Sequence, residues 1–207
     1  MRTSGFGIRR AGRRAAEVVD GVFARSVRMI RTGPSRTVGV VGIYRDAEPI
    51  RTAVAELRAS RHDVTVNLGA MGEIPAVMQG DTGADHLTAG KFQNLNVLVQ
   101  SLPALEWLVI IDDDVVLPPR FLDVAIEVCE RLDLALAQPA QTRFSNANWP
   151  VAKRRLLSVA RLTRFVEIGP VTLVRADAAR LLLPFPADLR WGWGLDFQWA
   201  HQMEAAG

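Results

Sequence analysis

Cysteine and long apolar runs are nearly absent from this chain of 207 residues. Its one cysteine, Cys129, excludes an internal disulfide framework and is typical of a reducing compartment. No apolar run approaches the roughly 20 residues that a membrane-spanning helix needs, and the N-terminus lacks the apolar core of a signal peptide. These absences predict a cytoplasmic protein that folds around one sizeable hydrophobic core.

Positive charge is concentrated at the start of the chain. Residues 1–36 contain nine arginines against Glu17 and Asp20, a balance of +7, so residues 37–207 carry −4 of the total +3. Apolar residues at helical spacing across residues 15–30 predict a basic amphipathic helix. Such an arm is typical of peripheral contact with an anionic membrane face, and a solvated tail is an equal alternative. With two aromatic residues for stacking, nucleic acid is the less favoured partner.

The hydrophobic pattern after the arm predicts a parallel α/β core. Residues 37–44 and 64–68 are short apolar runs typical of strands, and a helix that begins near Asp46 separates them. Strand, helix and strand within about 30 residues form a βαβ unit with parallel strands. Residues 69–90 predict a long irregular loop, which is uncommon unless it has a function. Later runs predict helices at residues 120–132, 176–183 and 197–205 and strands at residues 134–138 and 165–174, the last interrupted at Gly169-Pro170.

Three consecutive carboxylates follow another apolar run. Residues 108–111 predict a buried strand, and Asp112, Asp113 and Asp114 come directly after it. Ligands bind at the carboxyl ends of strands in open α/β sheets. Because adjacent like charges repel, these carboxylates need a counter-charge, and a hard divalent cation is commonly bound by one or two carboxylates plus phosphate oxygens. A solvated acidic turn is the alternative, but the strand before it and the helix after it favour a metal site.

A second unusual segment, residues 190–201, contains three of the five tryptophans. Gly192 and Gly194 alternate with two of them, and Asp196 follows. Glycines let a backbone approach a ligand closely, and tryptophans provide flat apolar walls. A carboxylate between them would be partly desolvated and therefore suited to act as a general base. The alternative is that Asp196 caps the helix predicted after it, and the two roles are compatible.

These segments resemble the GT-A-type glycosyltransferases, especially the large family 2 group. The resemblance implies a three-layer α/β/α, Rossmann-like domain over residues 37–207, with a mostly parallel central sheet and the basic arm, residues 1–36, before it. It extends from residue 38 to residue 207 and depends on four segments in the family's order, which are residues 38–44, 90–96, 112–122 and 169–196.

The resemblance also implies a metal-dependent, inverting transfer from a nucleotide-sugar donor. Asp112 and Asp114 would bind Mn²⁺ or Mg²⁺, and Asp196 would take the proton from the acceptor hydroxyl. The acceptor would be a carbohydrate, a lipid-linked compound or another hydroxyl compound, with Trp149, Arg154 and Arg155 as candidates for its side of the site. Donor contacts are implied for six residues, namely Tyr44, Asn67, Lys91, Asp112, Asp113 and Trp193.

Two departures from the family pattern leave other functions open. Residues 64–69 lack the acidic residue that usually contacts the nucleotide base, and only Asn67 could replace it. The family also commonly continues beyond the helix near Asp196, so we expect a truncated member or an incomplete site. A nucleotidyltransferase is one alternative, although residues 44–48 contain no glycine-rich phosphate loop. A non-catalytic domain that binds a nucleotide or a partner is the other.

Overall fold

The computed structural model describes residues 33–206, apart from residues 144, 146, 148 and 191. The predicted arm helix therefore lies outside the described residues. Within them, the strands are β1 (Thr37–Tyr44), β2 (Asp63–Ala70), β3 (Thr82–Ala84), β4 (Trp107–Asp112), β5 (Leu136–Ala137) and β6 (Val171–Arg175). The helices are α1 (Ala47–Arg58), α2 (Lys91–Gln100), α3 (Phe121–Arg131), α4 (Ala176–Leu182) and α5 (Leu195–Ala206). None of the described helices is long and apolar enough to cross a bilayer.

The six described strands form one mostly parallel sheet in the order β3-β2-β1-β4-β6-β5. β1 pairs in parallel with both β2 and β4, and β2 pairs in parallel with β3. β6 runs antiparallel to its neighbours β4 and β5. The predicted βαβ unit is present, and the predicted three-layer α/β/α fold class is confirmed.

Alternate residues of β4 divide the core between the two faces of the sheet. Trp107, Val109 and Ile111 pack on the face that α1 and α3 cover, whereas Leu108 and Ile110 pack on the face of α2, α4 and α5. All five side chains are at most 3% exposed. A strand covered on both faces has no polar face, which explains the uninterrupted apolar run before the carboxylates.

The strand predicted at residues 165–174 is present only after its predicted interruption at Gly169-Pro170, since β6 begins at Val171. The amides before it donate to other parts of the chain instead of to a neighbouring strand. The Val166 amide donates to the Asp196 carbonyl at 3.0 Å, and the Glu167 amide donates to the Gln138 side chain at 2.9 Å. Residues 165–170 therefore form an irregular segment that leads into β6.

Candidate active site

The carboxyl end of β4 places two of the three aspartates in a cleft of about 690 Å³. Asp112, the last residue of β4, and Asp114 line this cleft. Asp113 has a different partner, because its Oδ2 accepts the backbone amide of Arg45, just after β1, at 2.8 Å. The acidic run therefore contributes two carboxylates to the cleft and one to the loop after β1.

Lys91, the first residue of α2, is paired with Asp112. Its Nζ lies 2.5 Å from Asp112 Oδ1 and donates to the Ile168 carbonyl at 3.0 Å. Burial raises the pKa of Asp112, and the Lys91 charge opposes this effect without cancelling it. The charges of Asp113 and Asp114 raise that pKa further. Lys91, which the resemblance implies as a donor contact, thus lies in the cleft and partly neutralises its acidic side.

Glycines bring the segment around residue 190 against the start of α2. A Cβ on Gly90 would collide with the backbone of Arg190, and one on Gly192 would collide with the Phe92 ring. Gly192 has φ +75 and Gly194 has φ +94, values that side chains rarely allow. Because these residues lack side chains, two segments about 100 positions apart meet beside Lys91.

Asp196 lies in the first turn of α5 and accepts a hydrogen bond from a residue that lines the cleft. Its Oδ1 accepts the amide of Ile168 at 2.8 Å, and Ile168 lines the cleft. Asp196 is not among the residues that line the cleft. The helix begins at Leu195, so Asp196 is its second residue and not the N-cap that the alternative interpretation expected.

Glu167 is a carboxylate of the cleft that the sequence patterns did not predict. Its Oε2 accepts hydrogen bonds from Gln138 Nε2 and Gln141 Nε2, both at 3.0 Å. Burial raises the pKa of Glu167, and the negative charges of Asp196 and Asp112 add to this effect, while the two glutamine hydrogen bonds oppose it. The available signal was one acidic residue inside an apolar run, and the glutamines that surround it are remote in sequence.

Four of the predicted donor-binding residues do not line this cleft, and one of them is Asp113, which accepts the Arg45 amide. Tyr44 is 2% exposed, and its hydroxyl lies 2.9 Å from Thr82 Oγ1. The Asn67 side chain donates to the Leu98 carbonyl at 2.7 Å, which ties β2 to α2. Trp193 is 81% exposed. Of the predicted donor contacts, the structure brings only Lys91 and Asp112 together in the cleft.

The predicted acceptor residues lie outside the cleft. Trp149 packs against the Phe165 ring, with ring centroids 5.4 Å apart. Arg154 and Arg155 line a separate cavity beside the cleft. Because Phe165 lines that same cavity, the three residues lie near one another, and their contact with an acceptor stays a prediction.

The cleft contains carboxylates, which are the type of ligand that divalent cations prefer, but it contains few of them. Among the described residues, no three His, Cys, Asp or Glu side chains form a group that could hold a metal ion. Asp112 and Asp114 nevertheless share the cleft, and Mg²⁺ is usually bound by one or two carboxylates with phosphate oxygens and water. These two residues fit such an ion in the presence of a diphosphate.

No protein-family model and no curated protein matches the chain. Among solved structures, it is similar to the mannosyltransferase PcManGT from Pyrobaculum calidifontis in complex with GDP-Man and Mn²⁺. The TM-score is 0.59 at 16% identity, and the match covers 93% of this chain. The chain spans 59% of the length of that protein. The comparison shows a glycosyltransferase fold, while the chemistry depends on the residues of the cleft.

Proposed function

We propose that this protein is a GT-A-type glycosyltransferase that transfers a sugar from a nucleotide-diphosphate donor to an acceptor hydroxyl. The carboxylates of Asp112 and Asp114 at the end of β4, in a cleft that also contains Lys91, are the observation that carries the proposal. The structural likeness to a mannosyltransferase that binds GDP-Man supports a nucleotide-sugar donor. We also propose that the protein belongs to the family 2 group and is located in the cytoplasm.

The donor diphosphate is the part of the substrate that this cleft fits best. Asp112 and Asp114 would hold a divalent ion, which when bound would act as a Lewis acid toward the leaving diphosphate. Lys91 supplies a second positive charge, since an ammonium group makes strong hydrogen bonds with phosphate oxygens. The burial of Asp112 strengthens these interactions, because the effective dielectric constant is lower there than in water.

Asp196 is the general base in this proposal. It accepts the proton as the acceptor oxygen bonds to the anomeric carbon, and the bond from that carbon to the diphosphate oxygen breaks. A single displacement of this kind inverts the anomeric configuration. Asp196 is held by the Ile168 amide beside the cleft, and Glu167 is the second carboxylate beside Ile168. Isosteric variants of these two acids, considered in the Discussion, distinguish their roles.

Nucleotide binding with and without a metal tests the proposal directly. Calorimetry with GDP, UDP, CDP, ADP and dTDP, each with Mn²⁺ and then with EDTA, should show metal-dependent binding of at least one nucleotide. Asp114→Ala should abolish that binding and keep the circular dichroism spectrum, because Asp114 is exposed at the rim. Asp188→Ala is the matched control, as it is an exposed aspartate outside the cleft.

Each result of this experiment has a distinct meaning. Equal affinity in EDTA would reject the metal dependence. No binding of any nucleotide would reject the transferase. Metal-dependent binding without turnover of the matching nucleotide sugar would indicate a binding module instead of an enzyme.

A further inference from the structure

A second cavity, of about 290 Å³, lies between α3, β5 and residues 151–165. This volume is close to the lower end of the range for ligand pockets, about 300–1,000 Å³. Its floor is apolar and includes Val128, Leu136 and Leu173. Cys129 also lines it, and burial raises the pKa of that thiol to about 12. The floor therefore suits a hydrocarbon and is a poor environment for a charge.

The rim of this cavity is cationic. Lys153, Arg154, Arg155 and Arg161 line it, and no aspartate or glutamate occurs among its described lining residues. Lys153 Nζ donates to the Ser145 carbonyl at 3.0 Å, and the Arg161 guanidinium donates to the Lys153 carbonyl at 3.2 Å, so these acceptors are neutral. Burial lowers the pKa of Arg161, and the nearby Arg155 charge lowers it further. Like charges brought together in this way favour an anion between them.

Exposed apolar side chains lie in the same segment as the cationic rim. Leu157 is 71% exposed and Leu162 is 87% exposed, and Leu156 and Val159 are exposed as well. Large apolar side chains next to basic ones are typical of surfaces that meet lipid, where the apolar groups enter the acyl region and the cations contact the headgroups. The segment thus has both chemical features of a lipid-binding surface.

We propose that this cavity binds a long-chain lipid phosphate, with the hydrocarbon on the apolar floor and the phosphate between Arg155 and Arg161. The charge complementarity selects an anionic head, and the apolar floor selects a chain attached to it. A soluble phosphate compound would use the rim alone, and an uncharged lipid would leave the rim without its anion. Such binding does not depend on sugar transfer and can succeed or fail independently of the proposed function.

The cavity adjoins the candidate active site. Pro139 lines both the cavity and the cleft. Along residues 165–168, Phe165 and Val166 line the cavity, whereas Glu167 and Ile168 line the cleft. A lipid phosphate in the cavity would therefore lie next to any substrate in the cleft.

Calorimetry on the full chain with decyl phosphate, below its micelle concentration, tests the proposal. Inorganic phosphate provides the head without the chain, and decyltrimethylammonium provides the chain with the opposite charge. We expect one decyl phosphate per protein and affinities at least tenfold weaker for both other probes. Comparable binding of inorganic phosphate would show that only an anion is bound, and comparable binding of decyltrimethylammonium would show that only the chain is bound. Either result overturns the proposal.

Variants then locate the binding. The double variant Arg155→Gln, Arg161→Gln should weaken decyl phosphate binding at least tenfold. Arg164→Gln is the matched control, because Arg164 belongs to the same segment, pairs with Glu204 and does not line the cavity. Equal weakening by both would indicate general charge attraction and overturn the proposal, as would unchanged binding by the double variant.

A variant of the floor tests the position of the hydrocarbon separately. Ala125→Phe fills the cavity without changing its charges and should abolish decyl phosphate binding. Undiminished binding by a folded Ala125→Phe protein would place the chain elsewhere and overturn the proposal. If that protein fails to fold, the arginine variants still decide, because they alter only the rim.

Discussion

The balance of charged side chains differs between the two ends of the sheet. At the amino ends of β1 and β4, Arg36 pairs with both Glu106 and Glu130, at 2.8 and 2.6 Å. At the carboxyl ends, Asp112 lies in a cleft with two further carboxylates, and Lys91 is the one cation among the described residues that line it. The described residues that line the surface at the first end include three arginines and three carboxylates, so charges are balanced there, whereas they are predominantly negative at the second end.

The pKa values of the carboxylates also differ between the two ends of the sheet. At the amino ends, the Thr37 amide and the Arg36 guanidinium lower the pKa of Glu106. At the carboxyl ends, burial raises the pKa values of Asp112 and Glu167. A lowered pKa means that the fold stabilises the charge, whereas a raised one means that the charge costs stability. The amino-end charges therefore stabilise the fold, whereas in the proposed function the carboxyl-end charges bind a ligand.

The largest effect should come from removing the proposed base, Asp196. Asp196→Asn keeps an oxygen that accepts the Ile168 amide but no longer accepts a proton, so transfer should fall by about 10²–10⁴-fold. Donor binding should persist. Glu167→Gln is the matched isosteric variant and should lower transfer less. Assays must count nucleotide released separately from sugar transferred.

The reverse order of the two effects would assign the base to Glu167. Undiminished transfer by both variants would show that neither acid takes the proton. The contrast between the two ends would then concern charge balance alone and would have no catalytic meaning.

A smaller effect, on stability alone, is expected at the amino ends. The Glu127 side chain accepts the Gly33 amide at 2.6 Å and lies 2.5 Å from the Arg131 guanidinium and 3.6 Å from that of Arg61. Because these donors would lose a buried acceptor, Glu127→Ala should lower the free energy of unfolding by about 1–3 kcal/mol. Urea denaturation measures this change, and nucleotide binding should remain unaltered.

Glu48→Ala is the control for that variant. Glu48 forms an exposed pair with Arg51, so its removal should change the free energy of unfolding by less than about 0.5 kcal/mol. If the Glu127 variant were equally stable but bound nucleotide poorly, the two ends of the sheet would not have separate roles.

The parallel half of the sheet was the most predictable part of the fold. β4 is apolar up to its last residue, and β1 is apolar apart from Thr37 and its two glycines. Asp46 is the N-cap of α1, and its Oδ1 accepts the Glu48 amide at 3.2 Å. β3 could not be predicted because its three residues, Thr82–Ala84, contain no apolar run. The antiparallel direction of β6 could not be predicted either, because the direction of a strand depends on the segment that connects it to the preceding strand and not on the strand's own residues.

The candidate site was predictable where it follows from a strand end. Asp112 and Lys91 meet because the end of β4 and the start of α2 both reach the carboxyl edge of the sheet. Asp113 instead accepts the Arg45 amide. This contact depends on the loop after β1, and no pattern in the neighbouring sequence indicates it. Glu167 was missed because its surroundings come from distant residues, and a period or a spacing cannot reveal such contacts.

The smallest expected effect concerns the pH dependence of stability at the carboxyl end. Because the pKa of Glu167 is raised in the folded state, that state binds more protons than the unfolded chain between the unfolded pKa, about 4.3, and the raised folded value. Its negative charge therefore costs stability at neutral pH, and this cost disappears as the pH falls through that window. Glu167→Gln removes the charge at every pH while keeping an acceptor for Gln138 and Gln141.

The variant should therefore be more stable than the wild type at pH 8, by at most about 1 kcal/mol because solvent screens the site, and the difference should vanish below pH 4. Urea denaturation across pH 4 to 8 measures it. The pH dependence of stability should have the opposite sign at Glu127, because the Gly33 amide and Arg131 lower the pKa of that carboxylate. The stability lost in Glu127→Ala should thus be greatest at neutral pH and shrink as acid protonates the wild-type carboxylate. A Glu167→Gln protein that is less stable than the wild type at pH 8 would mean that this carboxylate supports the fold as Glu127 does.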